Sequence, residues 1–307
     1  KNPMTEASHF MAMRGGALAT GDFTQPGDVI ENVASKKVLS AYVEANEVWP
    51  TLAKQSAVRD FRDEDRVKVS IPTIGKRQED QTLDRGMLSG EVATLSTNEY
   101  GCIFGLTRET VLADDIAVFR DAFQNIGSAA ARVIGDQFYS DLIASTNIFD
   151  GNPLFDSAHS NVGTPGALSL TTITEARKLL RKMPLGGPNN VVLNSPAAYL
   201  LVPAALEGEA ESLSAGSTTE RVFQEVTHSS IEVLVDARLD VNSETAFYLF
   251  AAPSRRPCYE VAGIKRLPSP SLEVRNNPDT AALEFKLTLD VAATFIDWRG
   301  VVRNVGA

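Results

Sequence analysis

By residue type, the chain's best general bases and metal ligands are three histidines, His9, His159 and His228, and none stands with a second histidine or a cysteine at ligand spacing. The densest constellation is Asp156-Ser157-Ala158-His159, which holds all three residue types of a hydrolase triad. Triad members converge on one point from separated parts of a chain. Four consecutive residues cannot present that relay to a substrate together with an oxyanion hole. A polar turn held by the Asp and Ser side chains is the stronger reading, and a hydrolase using Ser157 or His159 is its rival. No G-x-S-x-G elbow occurs. Gly15-Gly16 and Gly186-Gly187 are not set in a phosphate-cradling pattern. The residues therefore imply no cofactor and no metal.

The remaining charged groups read as structure or as contact. Asp114 and Asp115 precede a helical period, where unsatisfied N–H groups and the helix dipole attract carboxylates, so they are assigned as helix caps. Asp63-Glu64-Asp65 is flanked by Arg59, Arg62 and Arg66, a mixture that suits a salt-bridged or inter-subunit surface better than a calcium loop. Glu207, Glu209 and Glu211 keep a loop in water. Asp297-Trp298-Arg299 sets an aromatic between opposite charges, either as a packed Trp with a surface ion pair or as a subunit contact.

The elements that must position these groups are organised around residues 107–146. From Ile116 onward apolar residues return at helical spacing through Phe119, Phe123, Ile126, Ala130, Ile134, Phe138 and Leu142, which predicts one long amphipathic helix. About 30 residues at ~1.5 Å each make a strut of roughly 45 Å. Its glycines, Gly127 and Gly135, point to close packing of a neighbour. Ahead of it, residues 1–32 lack a clear period and read as an arm. A short helix is predicted from Ser35 to about Val48, ended by Trp49-Pro50.

Residues 59–92 combine nine apolar residues with a crowd of both charges and contain no alanine. Val67 to Ile71 alternates as a strand, residues 75–80 read as a turn, and Gly86 and Gly90 break the return leg. Such a hairpin cannot bury a core of its own, so it reads as an extended arm reaching toward another subunit. Residues 98–107 predict a strand, and Thr172 or Thr174 a cap for a helix through Met183. A short buried strand at 191–193 and a helix from Ser195 to near Leu206 follow, then a mobile loop over 207–219. Strands are predicted at 231–235 and 246–251. The strictest alternation is at Leu283, Phe285, Leu287, Leu289 and Val291, with a turn at 276–279 before it.

Composition bounds the function classes. The formal charge is −10, from 39 acidic and 29 basic residues, which disfavours a nucleic-acid reader. Two isolated cysteines, Cys102 and Cys258, fit a reducing compartment. No apolar run approaches the ~20 residues that cross a bilayer.

Glu99-Tyr100 through Thr107-Arg108-Glu109, followed by Ala113-Asp114-Asp115-Ile116 and the long helix, resembles a signature of tailed-phage major capsid proteins of the Mu-like and prohead-protease-linked groups. So do Leu154-Phe155 with His159 and Asn161, and the ending Ile296-Asp297-Trp298-Arg299-Gly300 with Asn304. Ala113 stands where that signature usually has asparagine. The resemblance implies an α+β fold of the Hong Kong 97 capsid type. Residues 1–32 would form the N-terminal arm and 59–92 the extended hairpin loop. Residues 33–58, 93–169 and 268–307 would form a peripheral domain with its spine helix in 107–146, and 170–267 an axial domain.

It further implies a non-enzymatic subunit that self-assembles into hexamers and pentamers of an icosahedral head around double-stranded DNA, bound without sequence specificity. Assembly would take place in the bacterial host cytoplasm. Portal, scaffold, prohead protease and cement proteins become candidate partners, and the start at Lys1 would fit removal of a propeptide by such a protease. An encapsulin-like compartment is the nearest alternative. The candidate inter-subunit contacts are Arg62, Arg66, Lys76, Arg77, Glu79, Asp80, Arg85, Asp297, Trp298 and Arg299. Lys76 carries no motif that assigns a cross-link.

Overall fold

The computed structural model describes residues 26–70, 89–107, 116–185, 191–215, 231–277 and 282–307. The N-terminal arm up to residue 25, the hairpin tip with Lys76, Arg77, Glu79, Asp80 and Arg85, and the caps Asp114 and Asp115 lie outside the described residues. Among the described residues no helix is long and apolar enough to cross a membrane.

Among the described residues, five α-helices and eleven strands follow one another in chain order. Helix α1 is Pro26–Glu44, α2 Trp49–Leu52, α3 Ile116–Ala144, α4 Leu170–Lys182 and α5 Glu207–Ala215. The strands are β1 Ala53–Val58, β2 Glu64–Ser70, β3 Ser89–Leu95, β4 Asn98–Thr107, β5 Ala197–Val202, β6 Glu232–Val235, β7 Phe247–Ala251, β8 Tyr259–Ile264, β9 Ser271–Asn277, β10 Ala282–Phe295 and β11 Val301–Asn304.

A five-stranded sheet runs β1-β8-β10-β4, with β9 also paired to β10. Strand β10 is long enough to hold β4 along Ala282 to Val291 and to turn its last residues, Val291 to Phe295, against β8. A four-stranded sheet runs β11-β7-β5-β6, and β2 and β3 form a separate antiparallel hairpin.

Helix α3 ties the two larger sheets together. Its Phe138 is fully buried and meets Tyr259 of β8 edge-on at 4.9 Å, Phe295 of β10 at 5.9 Å and Phe250 of β7 at 6.4 Å. One ring therefore touches both sheets, and burying a side chain of this size stabilises the fold by roughly 2–3 kcal/mol. Phe123, two turns past the helix start, packs on Phe285 and Phe104 of the larger sheet. Both glycines of α3 have the close neighbours their positions foretold. A Cβ on Gly127 would run into the Val38 carbonyl and Ala41 of α1, and one on Gly135 into Arg238 and Glu47.

Several local expectations are corrected. Helix α1 starts at Pro26, nine residues before the expected Ser35, so residues 26–32 are helical rather than arm. Proline suits a first helical position because it lacks the N–H that would go unpaired there. The period was hidden because the buried side of α1 is made of small residues, Ala34, Val38 and Ala41, while Val33 and Val43 lie exposed. Helix α4 is capped by Ser169, whose hydroxyl accepts from Thr172 N while Thr172 Oγ1 accepts from Ser169 N. Thr172 thus closes the capping box instead of opening the helix, and Thr174 sits inside it.

Residues 191–193 are not a buried strand: Val191 and Val192 are exposed, and a single bridge joins Val192 to Pro184. The expected helix from Ser195 to Leu206 is instead strand β5, because Leu200, Leu201 and Val202 are buried between β6 and β7 in the sheet interior. A short apolar run of this kind suits a buried strand and a buried helix equally by period. The loop expected at 207–219 holds α5, anchored by the fully buried Ala210. Strands β1, β8 and β9 were not foreseen.

A division at residue 267 does not follow the sheets. β8 belongs with β10 and β4, whereas β11, close to the C-terminus, pairs with β7 in the four-stranded sheet.

Candidate assembly surface

The hairpin of β2 and β3 turns the usual strand pattern inside out. Its register pairs Glu64 with Leu95, Arg66 with Ala93 and Lys68 with Glu91 on the face toward the rest of the chain, and Asp65 with Thr94 and Val67 with Val92 on the other. Ala93 and Leu95 are buried beside Ala262, Ala292 and Ile296 of the larger sheet. Val67 and Val92, directly opposite each other, are 60% and 43% exposed. The chain thus turns charges toward its own core and valines toward solvent.

Those inward charges meet two buried acids. Glu260, the second residue of β8, accepts from Arg66 Nε at 2.8 Å, Ser56 Oγ at 2.6 Å and Lys54 Nζ at 3.2 Å. Burial alone would raise its pKa, but the hydrogen bonds from Ser56 and Arg66 and the charges of Lys54 and Arg66 outweigh that and hold it below the ordinary carboxylate range. Asp297, also fully buried, pairs with Lys68 and accepts from Arg299 N at 3.2 Å. Arg299 grips Glu91 of β3 through both terminal nitrogens at 2.6 Å and lies over the Trp298 ring, 4.9 Å from its centroid. Arg66 also pairs with Glu64 at 2.9 Å. The hairpin root is therefore clamped to β8 and to the turn before β11 by opposite charges.

Of the candidate contact residues, Arg66, Asp297, Trp298 and Arg299 come together here, buried or half-buried within one chain. Arg62 is the exception: its side chain is 91% exposed, with Asp60 3.8 Å away. Sequence reasoning missed Glu260, Lys68, Glu91 and Lys54. The available signal was a glutamate inside the apolar run Tyr259–Ile264, since a buried carboxylate requires partners.

Asp156, Ser157 and His159 do not form a relay. Asp156 caps a 3-10 turn by accepting from Ala158 N at 2.8 Å, and the Ser157 hydroxyl donates to Asp156 Oδ1 at 3.3 Å. His159 is buried, with Nδ1 3.1 Å from the Leu154 carbonyl oxygen and Nε2 2.6 Å from Asp150 Oδ2, so acceptors take up both ring nitrogens. Its ring stacks on Trp298 at 4.7 Å. Asn161 Nδ2 donates to the same Leu154 carbonyl at 2.7 Å. Leu154, His159 and Asn161 thus share one tight turn beneath the Trp298–Arg299 corner. Among the described residues no cluster of His, Cys, Asp and Glu could hold a metal ion.

A family model described as phage capsid protein matches residues 91–304. The fold is similar to the capsid structure of cyanophage P-SCSP1u, with a TM-score of 0.55 at 10% identity over 86% of this chain and 89% of the other. It is also similar to the procapsid of bacteriophage JBD30, with a TM-score of 0.51 at 12% identity over 91% of this chain and 74% of the other. A Mycobacterium phage Che8 structure gives 0.50 at 15% identity over 85% and 91%. No curated protein is significantly similar to the chain in sequence.

Proposed function

Because the chain belongs to the phage capsid protein family, we propose a specific way in which its hairpin completes the shell. The protein is a structural major capsid protein of an icosahedral phage head and has the Hong Kong 97 type of fold. In this reading copies associate into hexamers and pentamers in the host cytoplasm and enclose double-stranded DNA without reading its sequence. Portal, scaffold, prohead protease or cement proteins are the candidate partners.

The inside-out hairpin carries the reading. Val67 and Val92 lie together on an outward face, while the charges that would normally solvate a two-stranded hairpin are used to fasten its root. An isolated hairpin of this kind is marginal in water, and a second subunit covering the valines supplies the missing burial. Many copies of one modest contact add up to a stable shell.

Sedimentation and negative-stain microscopy of the purified chain test this. Shells or capsomers are expected, and Val67→Asp is expected to fold normally yet fail to assemble. A stably monomeric unsubstituted chain refutes the shell reading, and a Val67→Asp chain that assembles normally refutes the hairpin's part in it. Shells that co-purify with an enzyme cargo and lack DNA would point instead to a compartment subunit.

A further inference from the structure

We propose that in a ring of identical subunits the basic face of α4 on one copy docks against the acidic face of α5 on the next; this rests on the reading of the chain as a self-assembling shell subunit. The two helices sit at opposite ends of one sheet. In the order β11-β7-β5-β6, α4 lies against β11 and β7, and α5 against β6 and the 3-10 turn Ala204–Leu206. With strands ~4.8 Å apart, the outer strands are ~14 Å apart, so the sheet's width separates the two helices within one chain.

Their charges are complementary. Helix α4 buries Ile173, Ala176 and Leu180 and exposes Lys178, Arg181 and Lys182, which share a face at spacings of three and four. Neither Lys178 nor Lys182 forms an ion pair with the described residues, and Arg181 donates to Asn194 Oδ1 at 2.8 Å rather than to an acid. Arg177 beside them has its pKa lowered by burial and by the Arg181 charge. Helix α5 buries Ala210 and exposes Glu207, Glu209 and Glu211, none in an ion pair with the described residues; Glu207 and Glu211, one turn apart, share one side of the helix, and Glu209 lies on the other flank of its exposed surface. Helix dipoles account for Arg181 and Lys182 in the last turn of α4 and for Glu207 and Glu209 in the first turn of α5. They do not account for Lys178 or Glu211, which lie a turn further in.

Each ridge also has exposed valine beside it. Val191 and Val192 are 46% and 55% exposed, on the strip that Leu193 N and Leu185 N tie to the end of α4 by bonds of 2.9 and 2.7 Å. Val241 is 91% exposed and follows Asp240, whose carboxylate accepts from Ala204 N and Ala205 N at the turn leading into α5. A two-fold contact centred on either helix would set like charge on like. A head-to-tail arrangement pairs unlike ridges, and it closes into a ring when the rotation between copies permits.

The test uses the full chain with Lys178→Glu, Arg181→Glu and Lys182→Glu, the converse Glu207→Lys, Glu209→Lys and Glu211→Lys, and all six together. Each triple variant is expected to lose rings and shells in sedimentation velocity under conditions where the unsubstituted chain forms them, and the six-fold exchange to regain them. Assembly of the unsubstituted chain should also weaken as salt rises, because exposed charges are screened over ~8 Å at physiological ionic strength. A triple variant that assembles normally, or a natively folded six-fold variant that does not, overturns the proposal. So do α4 variants that form normal shells but retain less nucleic acid, since that assigns the ridge to a polyanion.

If circular dichroism shows that the reversals unfold the chain, Lys178→Gln with Lys182→Gln serves in their place. At least a ten-fold rise in the concentration needed for assembly is expected, and no rise overturns the proposal. An unsubstituted chain that never assembles removes both this contact and the shell reading. Failure confined to the variants' predicted behaviour leaves the shell reading intact.

Discussion

Arg299 holds both carboxylate oxygens of Glu91 at 2.6 Å across 208 residues of sequence, and so fixes the return strand of the hairpin to the turn before the last strand. Arg299 is 5% exposed, and Asp297 beside it is completely buried. Removing the guanidinium would leave Glu91 without its bidentate partner and Asp297 with Lys68 as its remaining side-chain cation, and would strip the cover from Trp298. Breaking a buried pair from one side costs about 3 kcal/mol or more, so Arg299→Ala is expected to lose about that much in urea denaturation. Arg62→Ala, at a side chain 91% exposed, is expected to stay within ~0.5 kcal/mol. Equal losses in the two variants would show that the clamp is not stabilising the hairpin root.

The same root predicts an acid limit. Glu260 and Asp150 both titrate below the ordinary carboxylate range, Glu260 through the donors and charges around it and Asp150 through His159 and Asn152, in each case against an opposing desolvation. A lowered folded pKa means that the unfolded chain takes up the proton first as pH falls. The stabilisation is therefore present above the unfolded value near ~4 and is lost as pH drops through the folded one. Asp141 acts in the opposite direction, since burial raises its pKa. Urea midpoints are expected to hold between pH 7 and about 5 and to fall below about pH 4. Glu260→Gln should be weaker at neutrality but less steep in acid. An unchanged acid slope in that variant would rule out Glu260 as a source of the limit.

The elements legible in the sequence were those whose burial is one-sided and whose side chains are large. Helix α3 could be read from Phe123, Ile134, Phe138 and Leu142, and β10 from Phe285, Leu287, Leu289 and Val291. Strand β4, at 98–107, has the bounds the sequence suggested. What escaped was set by tertiary context. Ala197 to Val202 has no period that separates a buried strand from a buried helix, and β1 carries exposed Lys54 and Gln55 in a strand of only six residues. At the hairpin root, Arg66 and Lys68 were visible as charges on an alternating strand. Their destinations, Glu260 and Asp297, lie about 190 to 230 residues away, and no local rule connects them.

Gly127 and Gly135 predict unequal costs for one substitution. In Gly127→Ala the new methyl meets the Val38 carbonyl and the Ala41 Cβ, the latter at 2.8 Å, and backbone cannot move without separating α1 from α3. In Gly135→Ala it meets the end of the Arg238 side chain and the Glu47 carboxylate, which can shift. Alanine regains up to ~1 kcal/mol of helix propensity in either case, while overpacking costs ~1–3 kcal/mol. Gly127→Ala is expected to lower the thermal midpoint clearly and Gly135→Ala only slightly. The reverse order would show that the α1–α3 contact yields more readily than the Arg238 side chain.

Ser157 and His159 separate a structural corner from a catalytic one. A hydrolase would lose activity with either residue and keep its stability. In the corner seen here the Ser157 hydroxyl makes one long bond to an exposed carboxylate, whereas His159 is buried, bonded at both nitrogens and stacked on Trp298. Ser157→Ala is therefore expected to change stability by less than ~0.5 kcal/mol. His159→Ala should cost about 2–4 kcal/mol, because it opens a cavity beneath Trp298 and leaves the Leu154 carbonyl and Asp150 short of a donor. Thermal and urea denaturation of the two variants measure the difference directly. A stable His159→Ala chain that has lost a measurable ester or peptide hydrolysis would instead assign the corner to chemistry.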